Sequence, residues 1–131
     1  MADGSLDLRT VYDVVGGMSA FEALVDRFYE GVVADEVLRP MYVEEDLTGA
    51  KRRLALFLAQ YWGGPTTYTE ERGHPRLRMR HFPYPIGVEA RDRWISCMSA
   101  AIDSSGFPPQ VDVAMREYFD RAATHLMNRA D

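Results

Sequence analysis

Residues 74–85, HPRLRMRHFPYP, gather three arginines, two of the chain's three histidines and three of its seven prolines. Two kinds of chemistry are available there. A neutral imidazole binds metals, and a guanidinium takes carboxylates in paired, charge-assisted hydrogen bonds. His81 stands just before Phe82-Pro83-Tyr84-Pro85, a run that no helix continues through. Pro75 suits a first helical position, so the spacing predicts a short helix over residues 75–81 that carries His81 at its end. Two readings of His81 follow. It is a metal ligand held rigidly between prolines, or a surface histidine whose charged form is favoured at a helix C-terminus. His74 reads as a cap of the short helix, and His125, beside an apolar stripe, as a half-buried, hydrogen-bonded side chain.

The ligand reading narrows the metal. Cys97 is the one cysteine and the histidines are scattered, so the four ligands of a zinc site are not assembled at any usual spacing. A single histidine suffices if a cofactor brings the remaining ligands. Haem does this: the porphyrin supplies four nitrogens and asks the protein for an axial ligand. Its propionates are carboxylates, which gives the arginines a use. Arg76, Arg78 and Arg80 alternate along a helix and cannot all face one way, so one of them is the candidate and the others read as a solvated face.

Helical spacing surrounds this run. In residues 19–34, Phe21, Val25, Phe28 and Val32 form one stripe with Leu24 beside it, and Ser19 with Glu22 fits a capping box. Gly16-Gly17 ends a short helix predicted over residues 9–15. Residues 47–62 place Leu47, Ala50, Leu54, Phe57, Leu58 and Tyr61 on a second stripe, closed by Gly63-Gly64-Pro65. Val88, Ile95, Met98 and Ile102 share a face of residues 88–104, and Val111, Met115, Tyr118, Ala122 and Leu126 share one of residues 110–128. No segment alternates as a strand does. The fold class is all-α, with four long helices, and residues 63–74 form an aperiodic connection of the length that is often functional.

The bulk properties set limits. A chain of 131 residues with 47% hydrophobic residues is expected to be a single domain over 1–131, with residues 1–8 a flexible N-terminus. A net charge of −5 argues against a general nucleic-acid binder. The lone cysteine, the absence of a signal-peptide pattern and the absence of a long apolar run point to a cytoplasmic protein without a membrane span. A homo-oligomer is compatible with the sequence. Cys97 reads as packing, and VEEDL at residues 43–47 as a solvated acidic turn.

Together and in order, Gly16-Gly17, DRFYEGV, LRPMYVEEDL, FLAQYWGGP, RGHPRLRMRHFP and RDRWISCM resemble the truncated haemoglobins of the second group, of actinobacterial type. The resemblance runs from Val11 to Met127. It implies a truncated globin fold, a two-over-two helical sandwich, with haem as cofactor and His81 as the proximal iron ligand. It further implies that Tyr29, Tyr42 and Trp94 are the polar residues around the bound diatomic ligand. The usual distal-histidine position maps onto Ala50, which cannot bond a ligand. Read without the resemblance, Tyr29 and Trp94 are equally ordinary core aromatics. Leu54, Phe57, Leu58, Leu77, Ile86 and Met98 are expected to line the haem, and Arg80, Arg53 and Tyr68 to meet its propionates.

Three functions are compatible with this. One is redox chemistry with O2 and nitric oxide, or with peroxide: a nitric oxide dioxygenase or a peroxidase-like activity. It needs a separate reductase, because the chain has no dinucleotide fingerprint. Another is O2 storage, transport or sensing without turnover. The last is a haem-free helical interaction module. The crowded donor set favours redox chemistry, since several donors slow the release of O2.

Overall fold

The computed structural model describes residues 10–129, so the expected flexible terminus at residues 1–8 lies outside the described residues. Seven α-helices follow one another among them: α1 (Val11–Val15), α2 (Met18–Ala34), α3 (Thr48–Tyr61), α4 (Thr67–Arg72), α5 (Leu77–His81), α6 (Val88–Asp103) and α7 (Pro109–His125). A 3-10 turn, Arg39–Met41, lies between α2 and α3. The four long helices are the four expected from periodicity. Helix α2 packs on both α3 and α6, and α6 packs on α7, which makes the two-over-two sandwich. Among the described residues, no helix is long and apolar enough to cross a membrane.

The predicted α2 stripe is the centre of the core: Phe21, Leu24, Val25, Phe28 and Val32 are all buried. Burying such side chains contributes roughly 1.5–3 kcal/mol each. Helix α2 also carries a glycine where helical propensity would favour alanine. A Cβ at Gly31 would sit 2.9 Å from the Cys97 sulfur, so the glycine lets α2 and α6 approach closely. Cys97 is thus a packing partner, half-buried against the glycine.

Several local expectations are corrected. Ser19 and Glu22 form no capping box; Gly17 is the N-cap and no side chain caps α2. Gly16 and Gly17 both take positive φ, at 106° and 82°, so the chain turns straight from α1 into α2 and Ser19 falls inside the first turn. The first helix begins at Val11, capped by Thr10, whose Oγ1 accepts from the Asp13 amide. The connection over 63–74 contains helix α4, too short to show a period. The proximal helix starts at Leu77 and not at Pro75. The His74 imidazole Nδ1 accepts the Arg76 amide at 3.1 Å, and Arg76 takes a left-handed φ of 46°, so the helix can begin only after it. Tyr61 and Val88, placed on apolar stripes, are 50% and 47% exposed because they lie at the ends of their helices, beyond the packed layers. His125 is exposed, not half-buried, because it ends α7 and only its carbonyl is used, as the acceptor for Arg78.

Candidate functional site

A cavity of about 510 Å³ opens between the two helical layers, inside the range of roughly 300–1,000 Å³ that small-molecule sites occupy. Its walls come from α2, the turn after it, α3, α4, α5, α6 and α7. Leu54 and Phe57 explain it locally. They lie on the apolar stripe of α3, yet they are half-buried while the smaller Ala55 and Ala59 are buried. Both large side chains line the cavity.

His81 enters this cavity from the last residue of α5. Its Nδ1 lies 2.7 Å from the Leu77 carbonyl oxygen one turn earlier. A carbonyl only accepts, so Nδ1 carries the proton and donates. Nε2 keeps its lone pair and, among the described residues, has no protein partner. That is the arrangement of a metal-binding histidine, whose second nitrogen is oriented by a backbone carbonyl. No cluster of three or more His, Cys, Asp or Glu side chains that could hold a metal ion exists among the described residues.

Three polar side chains share the cavity with it. Tyr29 is buried on α2; Tyr42 and Trp94 are half-buried in the turn after α2 and on α6. The Tyr29 and Tyr42 rings meet edge-on with centroids 5.5 Å apart. Burial, reinforced by the neighbouring Tyr42, pushes the Tyr29 hydroxyl far above its usual value, and burial raises Tyr42 as well. Both therefore remain protonated donors at physiological pH. Both tyrosines line the cavity, so each can offer its hydroxyl proton to a ligand there. The Trp94 indole N–H has no acceptor among the described residues, and indole only donates. Phe28, buried, holds the set in place: its ring lies 5.0 Å from that of Tyr29 and 5.0 Å from that of Trp94.

The turn that carries Tyr42 is held by charge. Arg39 donates to the Tyr42 carbonyl at 2.8 Å and to those of Glu44 and Glu45 at 3.0 and 3.2 Å. The Asp35 carboxylate accepts the amides of Val37 and Leu38, both at 2.9 Å, and pairs with Arg93, the neighbour of Trp94, at 3.3 Å. Asp35 thereby ties the tyrosine turn to the tryptophan helix. The Leu38 and Val37 amides and the Arg93 guanidinium hold its carboxyl below the usual carboxylate range. A depressed folded value means that Asp35 stabilises fully above about pH 4, the ordinary carboxylate value. The contribution is lost as pH falls through the folded value. Asp35→Asn is expected to melt lower than the wild type at pH 7, with the gap closing on acidification. Melts that stay parallel down to pH 3 would contradict this role.

The rim is basic. Arg53, Arg72, Arg80 and Arg91 line the cavity, as do Tyr68 and Tyr84. Arg53 reaches Glu44 at only 3.4 Å. Arg80 spends Nε on the Pro75 carbonyl and one Nη on that of Arg72, at 2.7 and 3.2 Å. Of the alternating arginines, Arg80 lines the cavity, Arg78 donates to the His125 carbonyl, and Arg76 is exposed.

Of the residues the sequence proposed, the structure brings Tyr29, Tyr42, Arg53, Leu54, Phe57, Leu58, Tyr68, Leu77, Arg80, His81, Ile86 and Trp94 to this one cavity. Met98 does not line it. It sits on α6 one turn beyond Trp94, sealed in the core with 1% exposure. Arg72, Arg91, Phe28, Phe119 and Leu126 were not foreseen as lining residues. Arg72 follows from α4, whose shortness hid it. Phe28 and Phe119 carried the signal of core, and the core and the cavity wall are here the same surface.

The family model for bacterial-like globins matches residues 10–128. The chain is 40% identical to a group 2 truncated hemoglobin of Bacillus subtilis over 120 residues, 92% of this chain and 89% of that one. Among solved structures, a thermostable hemoglobin from the actinobacterium Thermobifida fusca superposes with a TM-score of 0.91 at 57% identity, covering 94% of this chain and all of the other. A hemoglobin from Chloroflexus aurantiacus superposes with a TM-score of 0.90 at 48% identity, covering 92% of this chain and 99% of that one. The chain belongs to the bacterial-like globin family, as a truncated haemoglobin of the second group.

Proposed function

We propose that this haem- and O2-binding globin uses His81 as its axial iron ligand and performs redox chemistry on O2 with nitric oxide or peroxide. The residues fit the cofactor. The cavity walls are apolar, His81 offers one free imidazole nitrogen, and the rim arginines match two carboxylates. When bound, the haem iron supplies a site for diatomic ligands and one electron at a time. The chain's own residues do the rest. His81 is oriented by the Leu77 carbonyl. Leu54, Phe57 and Leu58 exclude water from the ligand position. Arg53, at the rim and only loosely held by Glu44, is the readiest partner for a propionate. Arg80 follows it, with two of its three guanidinium nitrogens already engaged.

The observation that carries the redox reading is the donor set. Tyr29, Tyr42 and Trp94 put three proton donors among the apolar side chains Phe28, Leu54, Phe57 and Leu58 of the cavity wall. Donors aimed where negative charge develops are strong in a water-poor site. They should retain O2 long enough for a second reactant to arrive, which suits a reagent site better than a carrier. Conversion of O2 and nitric oxide to nitrate consumes one electron per turnover, so a separate reductase, in a cytoplasmic setting, belongs to the proposal. The test is to mix the oxygenated protein with nitric oxide and measure nitrate. Stoichiometric nitrate with slow O2 dissociation supports it. O2 release as fast as in a storage globin, without nitrate, overturns it in favour of storage.

A further inference from the structure

Helix α5 carries His81 but has no buried residue. Apolar packing therefore holds it only through the half-buried Leu77, and hydrogen bonds carry much of its placement. Those within residues 72–86 are local: Arg80 to the Pro75 and Arg72 carbonyls, and His81 to Leu77. Among the described residues, every hydrogen bond that joins residues 77–86 to a distant part of the chain ends on residues 125–129.

Asn128 makes most of them. Its Oδ1 accepts the Ile86 amide at 2.9 Å. Its Nδ2 donates to the Tyr84 carbonyl at 2.8 Å and to the carbonyl of His81 itself at 3.3 Å. Its own backbone amide donates to the Ile86 carbonyl at 2.9 Å. The side-chain orientation is fixed by chemistry, because the oxygen meets an N–H and the nitrogen meets two carbonyls. Only a side chain with a donor and an acceptor on one short stem can make this set. Arg78, donating to the His125 carbonyl, adds a second link from α5 to the same segment. The proline-rich run 82–86 has few amides to build its own structure, and Asn128 supplies the missing partners.

We propose that Asn128 is a positioning residue for the proximal ligand: the segment after α7 is part of the haem site, and through the His81 carbonyl it sets how the imidazole meets the iron. This rests on His81 being the ligand. A side chain that tethers the backbone of a ligand acts as an outer-shell partner does, on ligand orientation and cofactor retention.

The test uses the haem-loaded full chain as wild type, Asn128→Leu and Asn128→Asp. Leucine removes all three side-chain bonds at similar size. Aspartate keeps the bond from the Ile86 amide and removes both donors. The readouts are the iron–histidine stretching band of the ferrous protein by resonance Raman, the rate of haem transfer to an acceptor globin, and the melting of the haem-free protein. Both variants are expected to shift and broaden the band. Both should release haem about tenfold faster, the factor that one or two ordinary hydrogen bonds carry. The haem-free melt should change little, since the segment lies outside the helical core. A band and a release rate unmoved in both variants overturn the proposal. So does a lowered haem-free melt with the band unmoved, which is the result for a merely structural role. A wild-type protein with no iron–histidine band overturns the His81 reading itself and is thereby told apart.

Discussion

Tyr42→Phe is expected to speed O2 dissociation roughly 10–100-fold, because a hydrogen bond to a charged or strongly polarised partner contributes about 1.5–3 kcal/mol. Tyr42 lines the cavity from the turn after α2, and its hydroxyl is one of three donors there. Tyr29→Phe removes a second hydroxyl from the same cavity and is expected to speed dissociation in the same direction and range, roughly 10–100-fold. Trp94→Phe keeps the ring packing against Phe28 and Phe119, whose centroids lie 5.0 and 5.6 Å away, while removing the N–H. Its effect should be independent of Tyr29, since the indole has no place in the tyrosine pair. Stopped-flow displacement of O2 by carbon monoxide reads all three. O2 dissociation unchanged in Tyr42→Phe would show that its hydroxyl does not reach the ligand.

Phe28→Ala is expected to lower stability by about 3–5 kcal/mol, as large-to-small changes at sealed core positions do. That is a large share of the roughly 5–15 kcal/mol that holds a domain of this kind together. Phe28 is fully buried, and its ring spaces Tyr29 from Trp94 at 5.0 Å on either side. Removing it opens the floor of the cavity beneath two of the three donors. Faster O2 dissociation should therefore accompany the loss of stability, although Phe28 donates no hydrogen bond. Urea unfolding of the haem-free protein measures the first effect. A loss under about 1 kcal/mol would show that the neighbours collapse into the space and that Phe28 does not hold the two aromatics apart.

The legible parts of this protein were those with a strong local period or an abrupt stop. The stripe Phe21, Val25, Phe28 and Val32 announces α2 by its spacing alone, and all four are buried. The prolines after His81 place the end of α5 to the residue. Helix starts were less legible, because they depend on backbone angles that composition does not state. Arg76 at φ 46° displaces the start of α5 from Pro75, and Gly16-Gly17 brings the start of α2 ahead of Ser19. In the site, single residues carried different amounts of signal. His81 stood out by its neighbours in sequence. Tyr29 and Trp94 read equally well as core without the family pattern, because a donor lining a cavity and an aromatic filling a core share the same spacing. Met98 shows the converse: a Met on the helix that bears Trp94, one turn further along, is sealed in the core and does not line the cavity. Asn128 gave no signal at all. Its partners lie 42–47 residues away, and nothing local marks a lone asparagine after a helix as the tether of a distant loop.

The measurement that tests the central claim most directly is the visible absorption spectrum of the protein purified with haem supplied, for wild type and His81→Ala side by side. A strong Soret band in the wild type, lost or markedly altered in the variant, is the result predicted for a haem held by His81 Nε2. A variant spectrum indistinguishable from the wild type would contradict it and assign the axial position to another residue of the cavity.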